Sequence, residues 1–203
     1  KTAENDRDRS VANEAIGDVL RAQGDLPTAL TSYRASHAIA ETLAKRDPGN
    51  TGWQRDLLVS HSKIGDVLMM QGDLPAALTS YRASYTIAET LAKRDPRNTE
   101  WQRDLSVNHE RIGDVLRAQG DLPAALTAYR ARHVIIETLV KRDPGNTAWQ
   151  RDLIVSYVKL SEVTGDKAYV TKALTIAQAM QQRGTLQPRD TWMVDELKRM
   201  IGQ

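Results

Sequence analysis

The stretch Thr51-Gly52-Trp53-Gln54-Arg55-Asp56-Leu57 comes back as Thr99-Glu100-Trp101-Gln102-Arg103-Asp104-Leu105 and again as Thr147-Ala148-Trp149-Gln150-Arg151-Asp152-Leu153, each time 48 residues further on. The same beat carries Gly17, Gly65 and Gly113, then Gly24, Gly72 and Gly120, and the pairs Asp47-Pro48, Asp95-Pro96 and Asp143-Pro144. Repeats therefore run over 5–52, 53–100 and 101–148, and the last two are identical at 34 of 48 positions. Sequences that alike must share one conformation and bury the same face. A fixed period of roughly 20–50 residues is the signature of stacked supersecondary units.

Each unit reads as two helices. In 53–100, Trp53, Leu57, Ile64 and Leu68 fall on one stripe with His61 between them, at the i, i+3, i+4 spacing of an amphipathic helix. This helix A is expected to begin at a capping box, Thr51-Gly52-Trp53-Gln54, in which Thr and Gln satisfy orphan N–H groups, and to stop at Gly72. Asp73 then caps helix B, whose first turn tolerates Pro75 because an N–H there has no intrahelical partner. Leu78, Tyr81, Ile87 and Leu91 carry its apolar side until Pro96 forbids further helix. At about 20 residues each, the helices span about 30 Å.

The ends depart from the beat. Asn5 and Arg9 stand where later repeats have Trp and Leu, which predicts an N-terminal cap whose outer face meets water. After Leu153 the packing glycine becomes Ser161, and the turn Gly165-Asp166 arrives three residues early. Pro188 precedes an amphipathic segment, Trp192 to Ile201. The expectation is a single repeat domain over 1–203, with a degenerate repeat at 149–187 and a C-terminal capping helix at 188–203.

In order and kind, Gly65, Leu68, Gly72, Ala77, Tyr81 and Pro96 follow the signature of the tetratricopeptide repeat, and residues 5–166 resemble that family. A standard unit has about 34 residues, so this is a stretched variant, similar to the long repeats of kinesin light chain. The small residue of mid helix B in the family is Ser84 here, with Ser36 and Arg132 as counterparts. The resemblance implies an all-α fold: a right-handed α-solenoid of antiparallel helix pairs, with Gly65 and Ala77 at the close helix contact and helix A lining a concave groove. It also implies a non-catalytic scaffold that binds a peptide or protein segment, as a module of a larger bacterial protein. The chain opens on Lys1 rather than Met, which predicts a piece of a longer chain.

Composition removes several other classes of function. Of the 203 residues 40% are apolar and 27% charged, enough apolar surface for a folded core. A formal charge of +2 gives no whole-chain field to hold a nucleic acid or a membrane. There is no Cys for a disulfide or thiolate metal site, and the four His lack zinc-motif spacing. No run approaches the roughly 18 apolar residues of a membrane span, and no signal-peptide pattern opens the chain, which predicts a cytoplasmic protein. Neither G-x-x-x-x-G-K nor G-x-G-x-x-G occurs, so no cofactor is expected. His61 and His109 are repeat equivalents on the packing stripe, in register with Asn13 and Tyr157, and read as core residues. Trp53, Trp101 and Trp149 read as core anchors, and the Lys-Arg pairs at 45–46, 93–94 and 141–142 as cations at helix C-termini. Asp8, Asp56, Asp104 and Asp152 lie near helix N-termini, where negative charge is favourable.

A helical wheel centred on Ile64 turns Arg55, Ser62 and Asp66 to the opposite face, flanked by Leu58, Val59, Met69 and Met70. With the next repeat's Arg103, Val107, Glu110, Asp114 and Arg117, these residues form the candidate peptide groove. Arg7, Arg55, Arg103 and Arg151 make a basic rail, and Asp18, Asp66, Asp114 and Glu162 an acidic one. Asp66 occupies the slot of the family's peptide-clamping Asn. Two readings of the rails stay open: they orient a ligand, or adjacent repeats pair their charges on a solvated face. An RNA-binding helical repeat and a self-associating or autoinhibitory arm, with a homo-oligomer as one outcome, are the alternatives to a protein-binding scaffold.

Overall fold

The computed structural model describes residues 2–202, among which lie nine α-helices, one short 3-10 turn at Pro188–Asp190 and no strand. In chain order the helices are α1 (Ala3–Ala22), α2 (Leu26–Arg46), α3 (Thr51–Met70), α4 (Leu74–Arg94), α5 (Thr99–Ala118), α6 (Leu122–Arg142), α7 (Thr147–Thr164), α8 (Lys167–Gln182) and α9 (Trp192–Ile201). They form two compact units, Lys1–Gln119 with α1 to α5 and Gly120–Gln203 with α6 to α9. Within each unit every helix packs on the next in sequence, the all-α helical-repeat architecture. Among the described residues no helix is long and apolar enough to cross a membrane.

The helix starts correct the capping box. Asn50, Asn98 and Asn146 are the N-caps of α3, α5 and α7, their side chains accepting from the N–H of Trp53, Trp101 and Trp149, and Thr51 is already helical. Gln54 reaches back instead to the carbonyl oxygen of Ala44 (3.1 Å), and Gln102 to that of Ala92 (3.4 Å), so the residue read as half a cap ties one repeat to the end of the one before. Asn stands above Thr as an N-cap residue, and with Asn50 capping, the N3 N–H that it satisfies is that of Trp53 (3.1 Å). Helix B begins as expected: Asp25, Asp73 and Asp121 cap α2, α4 and α6 with Pro in the first turn, after Gly24, Gly72 and Gly120 at positive φ.

The close contact inside a hairpin involves Gly65 and the ring of Tyr81, rather than Ala77. A Cβ on Gly65 would lie 2.6 Å from Cε1 of Tyr81, and one on Gly17 would lie 2.6 Å from Cε1 of Tyr33. Around this contact Ala29, Leu30, Tyr33, Ile64, Val67, Leu68, Ala77, Tyr81 and Val115 form the core of the N-terminal unit. Further along, Leu58, Ala88 and Leu91 form a second cluster, closed by Trp101 and Leu105. In the other unit Trp149 packs on Ile136, Leu139 and Leu153, and α9 closes the end through Val194 and Leu197.

The mid-helix-B position settles by hydrogen bonding. Ser36 meets Ser10 (Oγ to Oγ 2.9 Å), Ser84 meets Ser62 (2.8 Å), and buried Arg132 donates to the carbonyl oxygen of Asp152 (2.9 Å). His37 and His61 (ring centroids 4.4 Å apart), Tyr85 and His109 (5.0 Å), and His133 and Tyr157 (4.8 Å) are one ring pair repeated between a helix B and the following helix A. Burial pushes the imidazolium of His61 down to about 4, and those of His37, His109 and His133 down as well. These histidines are neutral packing groups.

Candidate functional site

Helices α3 and α5 lie side by side in the N-terminal unit, stitched by charge. Arg55 donates through Nε to Asp104 Oδ2 (2.7 Å) and pairs through Nη1 with Glu100 (2.7 Å), while Arg111 Nη2 donates to Asp66 Oδ2 (3.0 Å). The same pattern joins α1 to α3: Arg7 Nε to Asp56 Oδ2 (2.6 Å) and Lys63 Nζ to Asp18 Oδ1 (2.7 Å). In the N-terminal unit Arg7 and Arg55 of the basic rail and Asp18 and Asp66 of the acidic rail thus each pair with a residue of the neighbouring repeat. The basic rail is met by Asp56 and Asp104, which the sequence offers only as helix-dipole acids. The acidic rail is met by Lys63 and Arg111. The hydrogen bond and charge of Asp104 raise the guanidinium of Arg55, and those of Asp56 raise that of Arg7. Half-exposed pairs of this kind contribute about 0.2–1 kcal/mol each. Their directionality fixes how one repeat seats on the next.

Between the two helices opens a cleft of about 380 Å³ lined by Asp66, Met69, Tyr81, Val107, Glu110, Arg111 and Asp114. Of the residues expected to line a groove, Asp66, Met69, Val107, Glu110 and Asp114 meet here. The others divide. Arg55 is taken by its ion pairs near the N-terminal end of α3, Val59 packs against the cluster of Leu58, Ala88 and Leu91, and Arg103, Met70 and Arg117 are exposed outside the cleft. Ser62 is a correction: it is 3% exposed and bonded to Ser84, and Leu58, placed beside the groove by the wheel, is buried too. A wheel with one buried stripe fails for a helix that packs on more than one neighbour. Helix α3 is buried both toward α4 and toward α2 and α5, which leaves it a narrow free face.

The cleft contains two residues that the groove reading left out. Tyr81 forms its floor and donates from Oη to Asp66 Oδ1 (2.8 Å), and the guanidinium of Arg111 stands 5.7 Å from the centre of the Tyr81 ring. Burial and the neighbouring Asp66 carboxylate raise the Tyr81 hydroxyl, so it stays a donor at any physiological pH. One repeat earlier Tyr33 donates to Asp18 (2.6 Å), and burial with that hydrogen bond pushes its hydroxyl up to about 12. Burial acts to raise the Asp18 carboxyl, but the hydrogen bonds from Lys63 and Tyr33 leave it lowered. The signal is in the repeats: Tyr33, Tyr81 and Tyr129 recur, and the position of Lys63, Arg111 and Lys159 is basic in each repeat after the first, which has Ala15. Asp66 is therefore a structural hub with two partners of its own as well as part of the cleft wall.

The C-terminal unit has a second cleft of about 330 Å³, between α7 and α9, lined by Ile154, Val158, Trp192, Met193, Leu197 and Met200 with Glu162 and Glu196 at its edge. Among the described residues no three His, Asp or Glu side chains gather as a metal-binding group.

No protein-family profile matches the chain, and no curated protein matches it in sequence. Solved structures do match. Aspartyl phosphate phosphatase F from Bacillus subtilis superposes with a TM-score of 0.66 over 95% of this chain at 13% identity, and the chain spans 45% of that protein. A kinesin-light-chain-type protein of Podosopora anserina with nearly identical TPR-like repeats superposes with a TM-score of 0.60 at 14% identity, over 97% of this chain and 88% of its own. At these identities the likeness is one of fold, and the fold of this chain is that of the TPR-like helical repeats.

Proposed function

We propose that the chain is a non-catalytic interaction module that holds a peptide or protein segment in the cleft between α3 and α5. The observation that carries the reading is the lining of that cleft: three carboxylates and one guanidinium around Met69 and Val107, over the ring of Tyr81. Such a surface suits a cationic side chain flanked by an apolar one, because the carboxylates orient the cation while methionine adapts to the neighbour. The TPR-like fold supports a protein partner over RNA, since a reader of single-stranded bases needs stacked aromatic or changing polar groups along its face. Membership in a larger bacterial, cytoplasmic protein belongs to the same proposal and rests on the family resemblance alone.

A selection from random displayed dodecapeptides tests it. Enriched peptides should carry Lys or Arg next to a large apolar residue, and they should be lost on Met69→Glu with Glu110→Lys while the circular dichroism stays unchanged. Asp66 is left alone because replacing it strips Tyr81 and Arg111 of their partner. Equal binding by the double variant refutes the cleft. A variant that changes oligomeric state instead marks the surface as one of self-association.

A further inference from the structure

On α1, Val11 is 56% exposed, Ile16 52% and Val19 57%, with Ala12 and Ala15 exposed beside them. These positions have counterparts one and two repeats on. Val19 corresponds to Val67 and Val115, both wholly buried, and Ile16 to Ile64, also buried. The hairpin around them is the same, since Gly17 meets Tyr33 just as Gly65 meets Tyr81. What differs is the neighbour: α3 and α5 each follow a helix pair, and Val67 and Val115 share a core with Ala29, Leu30 and Tyr33 of α2 and Ala77 and Tyr81 of α4. The polar cap read from Asn5 and Arg9 thus covers only the first half of α1.

We propose that this face of α1 is the seat of a further helix pair of the same repeat kind, carried by the same polypeptide and stacked on α1 as α1–α2 is stacked on α3. Continuity with the interfaces already present specifies its chemistry. Opposite Ile16 and Val19 its helix B presents the Ala-Leu-x-x-Tyr face of α2. Along its second half that helix B meets a less apolar neighbour, because Trp101 and Leu105, which pack against the cluster of Leu58, Ala88 and Leu91, have become Asn5 and Arg9 in α1. The ion-pair frame continues at one level and stops at the other. Asp8 corresponds to Asp56 and Asp104 and accepts an arginine from the added pair. Ala15 stands where Lys63 and Arg111 donate to the preceding Asp, so at that level the added pair is seated by apolar contact with Ile16 and Val19 and not by charge.

The test fuses residues 53–100 directly before Asn5, which keeps the 48-residue register, in two forms: with α1 unchanged, and with Ala15→Lys, which restores a cation opposite the copy's Asp66. Both are compared with the 203-residue chain by hydrogen exchange and sedimentation. The added pair is expected to slow exchange of the α1 amides by about tenfold or more, and Ala15→Lys is expected to slow it further in the fusion while leaving the 203-residue chain as it was. Val19→Asp should also leave the 203-residue chain unchanged, since the side chain lies in water, yet cancel the slowing in both fusions. Exchange in α1 that is indifferent to the fusion overturns the proposal, as does a lysine form that protects no better than the unchanged one. A 203-residue chain that dimerises and is made monomeric by Val19→Asp also overturns it, by assigning the face to a second copy.

Discussion

Replacing Gly65 with Ala is a severe test of the hairpin contact because helix propensity and packing push in opposite directions. Alanine in mid-helix is favoured over glycine by about 0.8–1.0 kcal/mol, so a glycine with room beside it gains stability from the change. Here the new methyl would lie 2.6, 2.7 and 3.0 Å from three carbons of the Tyr81 ring. That ring cannot swing aside at no cost, since it is 3% exposed, its hydroxyl is bonded to Asp66 and Arg111 stands against it. Overpacking of this kind costs about 1–3 kcal/mol, and weakening, without breaking, the hydrogen bond to a carboxylate adds about 1 kcal/mol. After the propensity gain, the net loss is about 1–3 kcal/mol. For a chain of this size that lowers the Tm by about 2–12 °C, measured by thermal and urea unfolding followed by circular dichroism at 222 nm. Gly17→Ala should cost the same, because its Cβ meets Tyr33 at the same 2.6 Å. Adding Tyr81→Leu should recover part of the loss, giving a coupling of about 1 kcal/mol between the two sites. A Gly65→Ala protein as stable as the wild type, or more so, refutes the close approach and with it the account of why glycine returns every 48 residues.

Ser62→Leu should also destabilise, by about 1–3 kcal/mol in urea titration, because the side chain is buried against Ser84 and has no room to grow; an unchanged midpoint would return Ser62 to the open groove. Acid is expected to loosen the protein through its buried histidines. The imidazole of His61 is held to about 4 in the fold against 6.5 when free, so between those values the unfolded chain binds more protons. The contribution is complete above about pH 6.5 and fades as the pH falls toward 4. It amounts to about 1–2 kcal/mol given the ring's partial exposure, with His37, His109 and His133 acting in the same direction. Thermal midpoints from pH 7 to 4 should fall, and His61→Asn, which copies Asn13 of the first repeat, should flatten the decline; an equally steep decline in that variant would assign the acid sensitivity to other groups.

The candidate site was legible only in part. Asp66, Met69, Val107, Glu110 and Asp114 were found because the two helices A carry them at corresponding heights, and periodicity alone brings corresponding heights together. Ser62 and Leu58 were misplaced because a single-stripe wheel asks only which side of a helix is apolar. Serine gives no apolar signal, yet two serines can bury each other by hydrogen bonding, as Ser62 and Ser84 do. Tyr81 was read as core, which it is, but the hydroxyl at its edge is what reaches Asp66.

By itself the sequence determined the repeat length, the helix pairs, the turns at Gly24, Gly72 and Gly120, and the kind of fold, because these depend on local spacing, on capping and on a glycine at positive φ. The tertiary structure alone decided which charges meet. Arg55 could have faced a ligand, its own repeat's Asp66 or the next repeat's Asp104, and the choice depends on the lateral offset between α3 and α5, a rigid-body quantity to which no local pattern in the chain is sensitive. The tertiary structure also decides that Val67, which packs with Ala29, Leu30 and Tyr33 of the preceding helix pair, is covered and that Val19 is not. The same valine, in hairpins closed by the same glycine–tyrosine contact, is buried where a preceding hairpin stands beside it and exposed where none does.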